Sequence, residues 1–141
     1  MDERTERRIL DKAGYIVGAI DVLAAKRDDL TFEEYSSSRE DRDVVEREFE
    51  TAIEAAIDIA TMLLRATDTP VPETNAATFY ELAREGLLEE ATAERMARAA
   101  GFRNILAHRY GNEIDDEDVF NALQTELPVF REYLEQVRDA L

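Results

Sequence analysis

The 141-residue sequence contains a single histidine, His108, so the side chain best poised to pass protons near neutral pH occurs once. It stands in Gly101-Phe102-Arg103-Asn104-Ile105-Leu106-Ala107-His108-Arg109-Tyr110-Gly111, where the neighbouring arginines offer the planar fork of donors that grips a phosphate. On a helix turning ~100° per residue, Asn104 and His108 stack at i and i+4, and Arg103 and Tyr110 at i and i+7. Arg103 and His108 are then roughly 140° apart, too far to converge unless both border a cleft made with another surface. A dimer seam would supply that surface.

Local charge marks the same stretch. The chain carries 33 acidic against 17 basic side chains, a formal charge of −16, yet no residue from Arg95 to Asn112 is acidic. Arg95, Arg98, Arg103 and Arg109 fall inside that window, which reads as a basic island able to guide a polyanion to an acidic body. The total charge argues against nonspecific nucleic-acid binding, which runs on phosphate neutralisation. Only Lys12 and Lys26 are lysines, and abundant acid with scarce lysine is similar to the composition of proteins from salt-loving organisms, where salt screens self-repulsion.

Absent residues exclude other chemistry. Without cysteine there is no disulfide framework, thiolate metal site or thiol nucleophile. The amino terminus lacks the apolar stretch of a secretory signal, and no apolar run nears the ~20 residues that span a bilayer, so the expectation is a cytoplasmic chain with no membrane partner. A hydrophobic share of 45% is too high for disorder, and the length suits one domain over residues 1–141.

The elements that must position these residues are all helical, because apolar residues recur at three and four and no hairpin dipeptide appears. One stripe runs from about Thr5 to Ala25. Thr31-Phe32-Glu33-Glu34 can cap a short turn, and Ser37 with Glu40 fits a capping box opening a second long helix to about Ala66. Pro70 and Pro72 stop it. A short helix over Ala76 to Arg84 ends at Gly86, a left-handed cap. The next spans Glu89 to Tyr110, capped at Gly111, and the last runs from Asp115 to Val137, kinked or divided by Pro128 near Thr125 to Leu127. Four long helices and one short helix predict an all-α, up-and-down bundle.

With the motif placed on a helix, the residues resemble a known family. Arg103-Asn104-x-x-x-His108-x-Tyr110 resembles the R-x4-H-x-Y motif of HEPN domains, specifically the HepT-like toxins, which are small helical bundles of about this length. The similarity extends over nearly the whole chain through Ala56-Ile57-Asp58-Ile59-Ala60, the proline-rich turn, Gly86-Leu87-Leu88 and Gly101-Phe102-Arg103-Asn104. R-x4-H alone is a weak signal, and Asn104 and Tyr110 make it specific.

That resemblance implies a metal-independent endoribonuclease, without cofactor, acting as a homodimer on RNA. His108 would serve as general base or acid, Arg103 would stabilise the phosphorane-like transition state, and Asn104 would orient the cleft. Tyr110 corresponds to the tyrosine that receives AMP from the partner antitoxin, a minimal nucleotidyltransferase of the MntA type. Arg95, Arg98 and Arg109 are candidate RNA contacts. Asp58, beside the core stripe, is a candidate to orient Arg103 across the bundle.

Plainer roles stand beside these. His108 can be a cap-region histidine, the arginines an intersubunit salt-bridge strip, and Phe49, Phe102 and Phe120 core or dimer contacts. Asp115-Asp116-Glu117-Asp118 looks like a metal cluster only superficially, since acids at a helix start favour its dipole. HEPN bundles also act as noncatalytic nucleotide- or partner-binding subunits of a nucleotidyltransferase, which is the alternative function.

Overall fold

In the computed structural model, which describes residues 1–141, Asp2 starts the chain's first helix by accepting the Thr5 amide at 2.7 Å. That helix, α1 (Glu3–Asp29), carries Glu3 and Glu6 in its first turn and Lys26 and Arg27 in its last, the order its dipole favours. Ile9, Ile16, Ala19, Ile20 and Leu23 form its buried stripe. Next comes α2 (Phe32–Ser37), held by a reciprocal capping box between Thr31 and Glu34.

Because α2 runs through Ser37, the predicted cap of the next helix moves one residue. Ser38 has the extended backbone and accepts the Asp41 amide at 3.2 Å, opening α3 (Arg39–Ala66). The Asp41 carboxyl takes Lys26 at 2.7 Å, and this bond, with the Ser38 hydroxyl, holds it below the usual carboxylate range. Helix α3 is the spine of the bundle, with twelve buried residues between Val45 and Leu64. It packs along α1 on one side and against α4 (Asn75–Arg84) and α5 (Glu90–His108) on the other.

Gly86 ends α4 as expected. Its φ of 77° lets the Leu87 amide reach the Leu82 carbonyl at 2.9 Å, satisfying an end carbonyl that has no partner in the helix. Nothing lies within 4 Å of a Cβ added there, so the cost of a side chain is conformational alone. Gly86→Ala is expected to destabilise by about 1 kcal/mol, lowering Tm by roughly 3 °C in calorimetry.

The last predicted helix is divided. Pro128 cannot donate to an upstream turn, so the chain breaks at Glu126 into α6 (Asp116–Thr125) and α7 (Leu127–Asp139), with Pro128 in the first turn of α7 where a missing amide costs nothing. Asp115 caps α6 by accepting the Glu117 and Asp118 amides, which gives the acidic run its role at a helix start. Helix α7 closes the bundle against α1 and α5. Its Tyr133, fully buried, donates to the Ala56 carbonyl at 2.7 Å and meets Phe79 edge-on at 5.7 Å. Buried side chains from all seven helices join one continuous apolar cluster, the architecture expected with α2 added and the last helix split.

Candidate functional site

The end of α5 carries the candidate site residues. Phe102 meets Phe49 of α3 edge-on at 5.6 Å, and this contact pins the turn that bears Arg103. The Arg103 side chain is 21% exposed, its Nε is buried without a hydrogen-bond partner, and its Nη2 lies 3.6 Å from Glu54 Oε1 of α3. That separation gives charge attraction without a hydrogen bond, leaving the outer guanidinium donors available to an incoming anion. Asn104 and His108 are exposed, one turn apart on the same helix face. His108 is the last residue of α5, and its side chain takes part in no hydrogen bond or ion pair within the chain.

Three sequence expectations are corrected here. Tyr110 is not on the helix: Arg109 and Tyr110 are both extended, with ψ of 161° and 162°, before a 3-10 turn over Gly111–Glu113. The i, i+7 alignment of Tyr110 with Arg103 therefore does not exist, and the phenol stands 80% exposed. Gly111, φ 58°, serves that turn instead of capping α5 directly. Asp58 does not face Arg103, because Lys12 of α1 reaches it at 3.1 Å, and Glu54, one turn earlier on α3, takes the arginine. Arg95 is engaged at 3.3 Å by Glu126 and at 3.6 Å by Glu132, so it braces the α6–α7 break.

The basic island is thus acid-free in sequence but not in space, since Glu54, Glu126 and Glu132 come from other elements. Arg98 pairs only with the exposed Glu94 of its own helix, at 3.3 Å, and Arg109 has no ion pair. An exposed pair of this kind is worth less than about 1 kcal/mol and yields to a stronger ligand.

Glu54 is the site residue the sequence reading missed. It shares a face of α3 with Asp58, and only the side-to-side placement of α1 and α5 decides which carboxylate meets which cation. Glu54→Gln is expected to leave folding intact, because the bridge is half-exposed, and to lower RNA cleavage about three- to tenfold by loosening Arg103, read as initial rates beside a melting curve.

Tyr110 borders a wide cleft of about 940 Å³, with Arg39 and Arg42 at the start of α3 on the opposite wall. Glu46 and Asp116 line it too. Burial, and then the charges of Asp43 and Asp116, push the Glu46 carboxyl above the usual range. Nowhere do three His, Asp or Glu side chains come close enough to hold a metal ion.

A helical bundle with Arg, Asn and His on the last turns of one helix, and an exposed Tyr just beyond, defines a HEPN-type domain. The chain belongs to the HepT-like ribonuclease family, whose model matches residues 16–137. It is 31% identical over 116 residues to a tRNA nuclease HepT of Aphanizomenon flos-aquae, covering 82% of this chain and 78% of that one. An mRNA nuclease HepT of Shewanella oneidensis is 27% identical over 60% of this chain and 63% of its own. The fold matches a tri-AMPylated HEPN toxin from Shewanella oneidensis in complex with its MNT antitoxin, with a TM-score of 0.85, 22% identity and 99% of each chain covered.

Proposed function

We propose that this chain is the ribonuclease toxin of a HepT/MntA-type toxin–antitoxin pair, folded as one domain and acting in the cytoplasm as a homodimer. The observation that carries the reading is the pairing of a restrained Arg103 with an unencumbered His108 at the end of α5, in a chain of the HepT-like family.

In the reaction, His108 removes the proton of a ribose 2′-hydroxyl, and the oxygen attacks the adjacent phosphorus. The P–O2′ bond forms as the P–O5′ bond breaks, leaving a cyclic phosphate, and the departing 5′-oxygen takes a proton from water. Arg103 neutralises the charge that grows on the nonbridging oxygens, and Asn104 donates to the phosphate from the His108 face. No metal is required by these steps. Since Arg103 and His108 diverge about the helix axis, each needs the second copy of α5 across a dimer seam. Arg98 and Arg109 receive the strand. Concentrated salt would screen the self-repulsion of the acidic shell around the site.

The partner nucleotidyltransferase transfers AMP from ATP to the Tyr110 hydroxyl, placing negative charge and bulk beside His108, where RNA phosphate binds. The relative described above carries three such units. Cleavage of total RNA in EDTA at high salt, with Arg103→Ala and His108→Ala as controls, tests the enzyme: equal residual cutting by all three proteins would end the ribonuclease reading.

A further inference from the structure

Helix α1 leaves to solvent a face with the spacing of a coiled-coil seam. Arg7, Leu10, Gly14, Val17 and Asp21 recur at three and four residues, which sets them in one line along the helix. All five are exposed, and Leu10 and Val17 each keep 50% of their surface in water. Helices α3 and α7 each touch both α1 and α5, which do not touch one another, so this seam and the end of α5 lie at opposite corners of the bundle. Nothing inside the chain calls for glycine at the centre of the seam. Positive φ among the glycines occurs only at Gly86 and Gly111, and no atom lies within 4 Å of a Cβ added at Gly14, or at Gly18 one turn on. Glycine in mid-helix weakens the helix relative to alanine, and what it offers in return is close approach of another backbone.

We infer that this face packs antiparallel on the same face of a second copy of the chain, about a two-fold axis at Gly14, in a contact separate from the α5 seam. Charge sets the direction. Arg7 and Asp21 stand seven residues to either side of Gly14, so an antiparallel pair brings Arg7 of each copy to Asp21 of the other. A parallel pair would set arginine on arginine and aspartate on aspartate, which opposes association. Both groups are free to meet a second copy. The ion pairs that α1 makes within the chain belong to Lys12, Lys26 and Arg27, and Arg131 of α7 flanks Asp21 without pairing to it.

Shape obeys the same axis. Leu10 stands four residues before Gly14 and Gly18 four after, so each leucine is laid over the gap that a glycine leaves on the other copy. Two complementary pairings, both symmetric about one residue, favour a second copy over an unrelated chain, which has no need of that symmetry. Because the α5 corner stays open, both contacts can be made at once, and dimers joined through α1 form assemblies of more than two chains.

The chain has no cysteine, so Gly14→Cys introduces its only thiol, into open space on the full-length protein. Packed helices lie about 8–10 Å apart with each Cα about 2.3 Å off its axis, which puts facing Gly14 Cα atoms roughly 3.5–5.5 Å apart, overlapping the span of a disulfide at about 4.4–6.8 Å. Cross-linking with oxidised glutathione is followed on non-reducing gels, with the exposed Gln124→Cys as the control for chance collision. Gly14→Cys is expected to cross-link about tenfold faster than the control, at about 0.15 M salt where a direct ion pair is still felt. Adding Arg7→Asp, which faces acid with acid twice across the axis, is expected to slow it about tenfold, and adding Asp21→Arg to that variant to restore it. A rate no faster than the control overturns the contact and gives the face to solvent or to another protein. Indifference to Arg7→Asp, or no recovery on exchanging the two charges, overturns it as well. The cross-link reads no RNA cleavage, so its failure and that of the ribonuclease reading are told apart.

Discussion

His108→Ala protein is expected to cleave RNA about 10²- to 10⁴-fold more slowly than wild type, with no measurable change in Tm. The rate range is what a positioned acid–base group contributes to proton transfer in the transition state. The unchanged stability follows from the surroundings: His108 ends α5, is exposed, and pairs with nothing in the chain, so alanine leaves neither a cavity nor an orphaned partner. Arg103→Ala makes a different case. It is expected to lower the rate about 10²- to 10³-fold, as for loss of a donor aimed at developing charge, but it also empties a half-buried position and leaves Glu54 alone. Rates from a single RNA substrate, read beside melting curves for both variants, separate chemistry from folding. A His108→Ala rate within threefold of wild type would remove the histidine from the mechanism.

Tyr110→Phe is expected to abolish AMP addition by the partner nucleotidyltransferase, while RNA cleavage without the partner stays within about threefold of wild type. The substitution deletes one oxygen from a side chain that is 80% exposed and packs against no core, so folding has nothing to lose. The phenol is available because the helix stops at His108 and the next two residues are extended, which carries the ring clear of the bundle wall. Intact-mass spectra after incubation with partner and ATP give the readout. Wild type should gain AMP-sized increments and lose activity in step with them; Tyr110→Phe should gain none and stay active. Increments that persist in Tyr110→Phe would move the acceptor elsewhere.

Helical elements were legible wherever local chemistry decides them. The stripe of Ile9, Ile16, Ile20 and Leu23, the left-handed Gly86 and the break at Pro128 each follow from periodicity or a single residue's backbone limits. Cap choice between Ser37 and Ser38 was not, because both hydroxyls can cap and only the length of α2 decides which backbone is extended. The helix end at His108 was hidden for a related reason: Arg109 and Tyr110 both have adequate helix propensity, and the turn at Gly111–Glu113 draws them out. Candidate site residues could be proposed from their types and spacing. Their partners could not, since Glu54 against Asp58, and the two carboxylates on Arg95, depend on how helices far apart in sequence lie side by side.

The carboxylates that occupy the arginines of α5 also govern the response to ionic strength. With Arg95 committed to Glu126 and Glu132, three arginines of that helix and its extension remain for the strand: Arg98, Arg103 and Arg109. Each phosphate neutralised on a single strand contributes about −0.7 to the slope of log K against log salt concentration, so three contacts from each copy in the proposed homodimer give a slope near −4. Proteins that grip six to ten phosphates lose their ligand steeply as salt rises. The proposed dimer stands at the edge of that group, and its affinity for RNA is expected to fall about 300-fold between 50 and 200 mM salt.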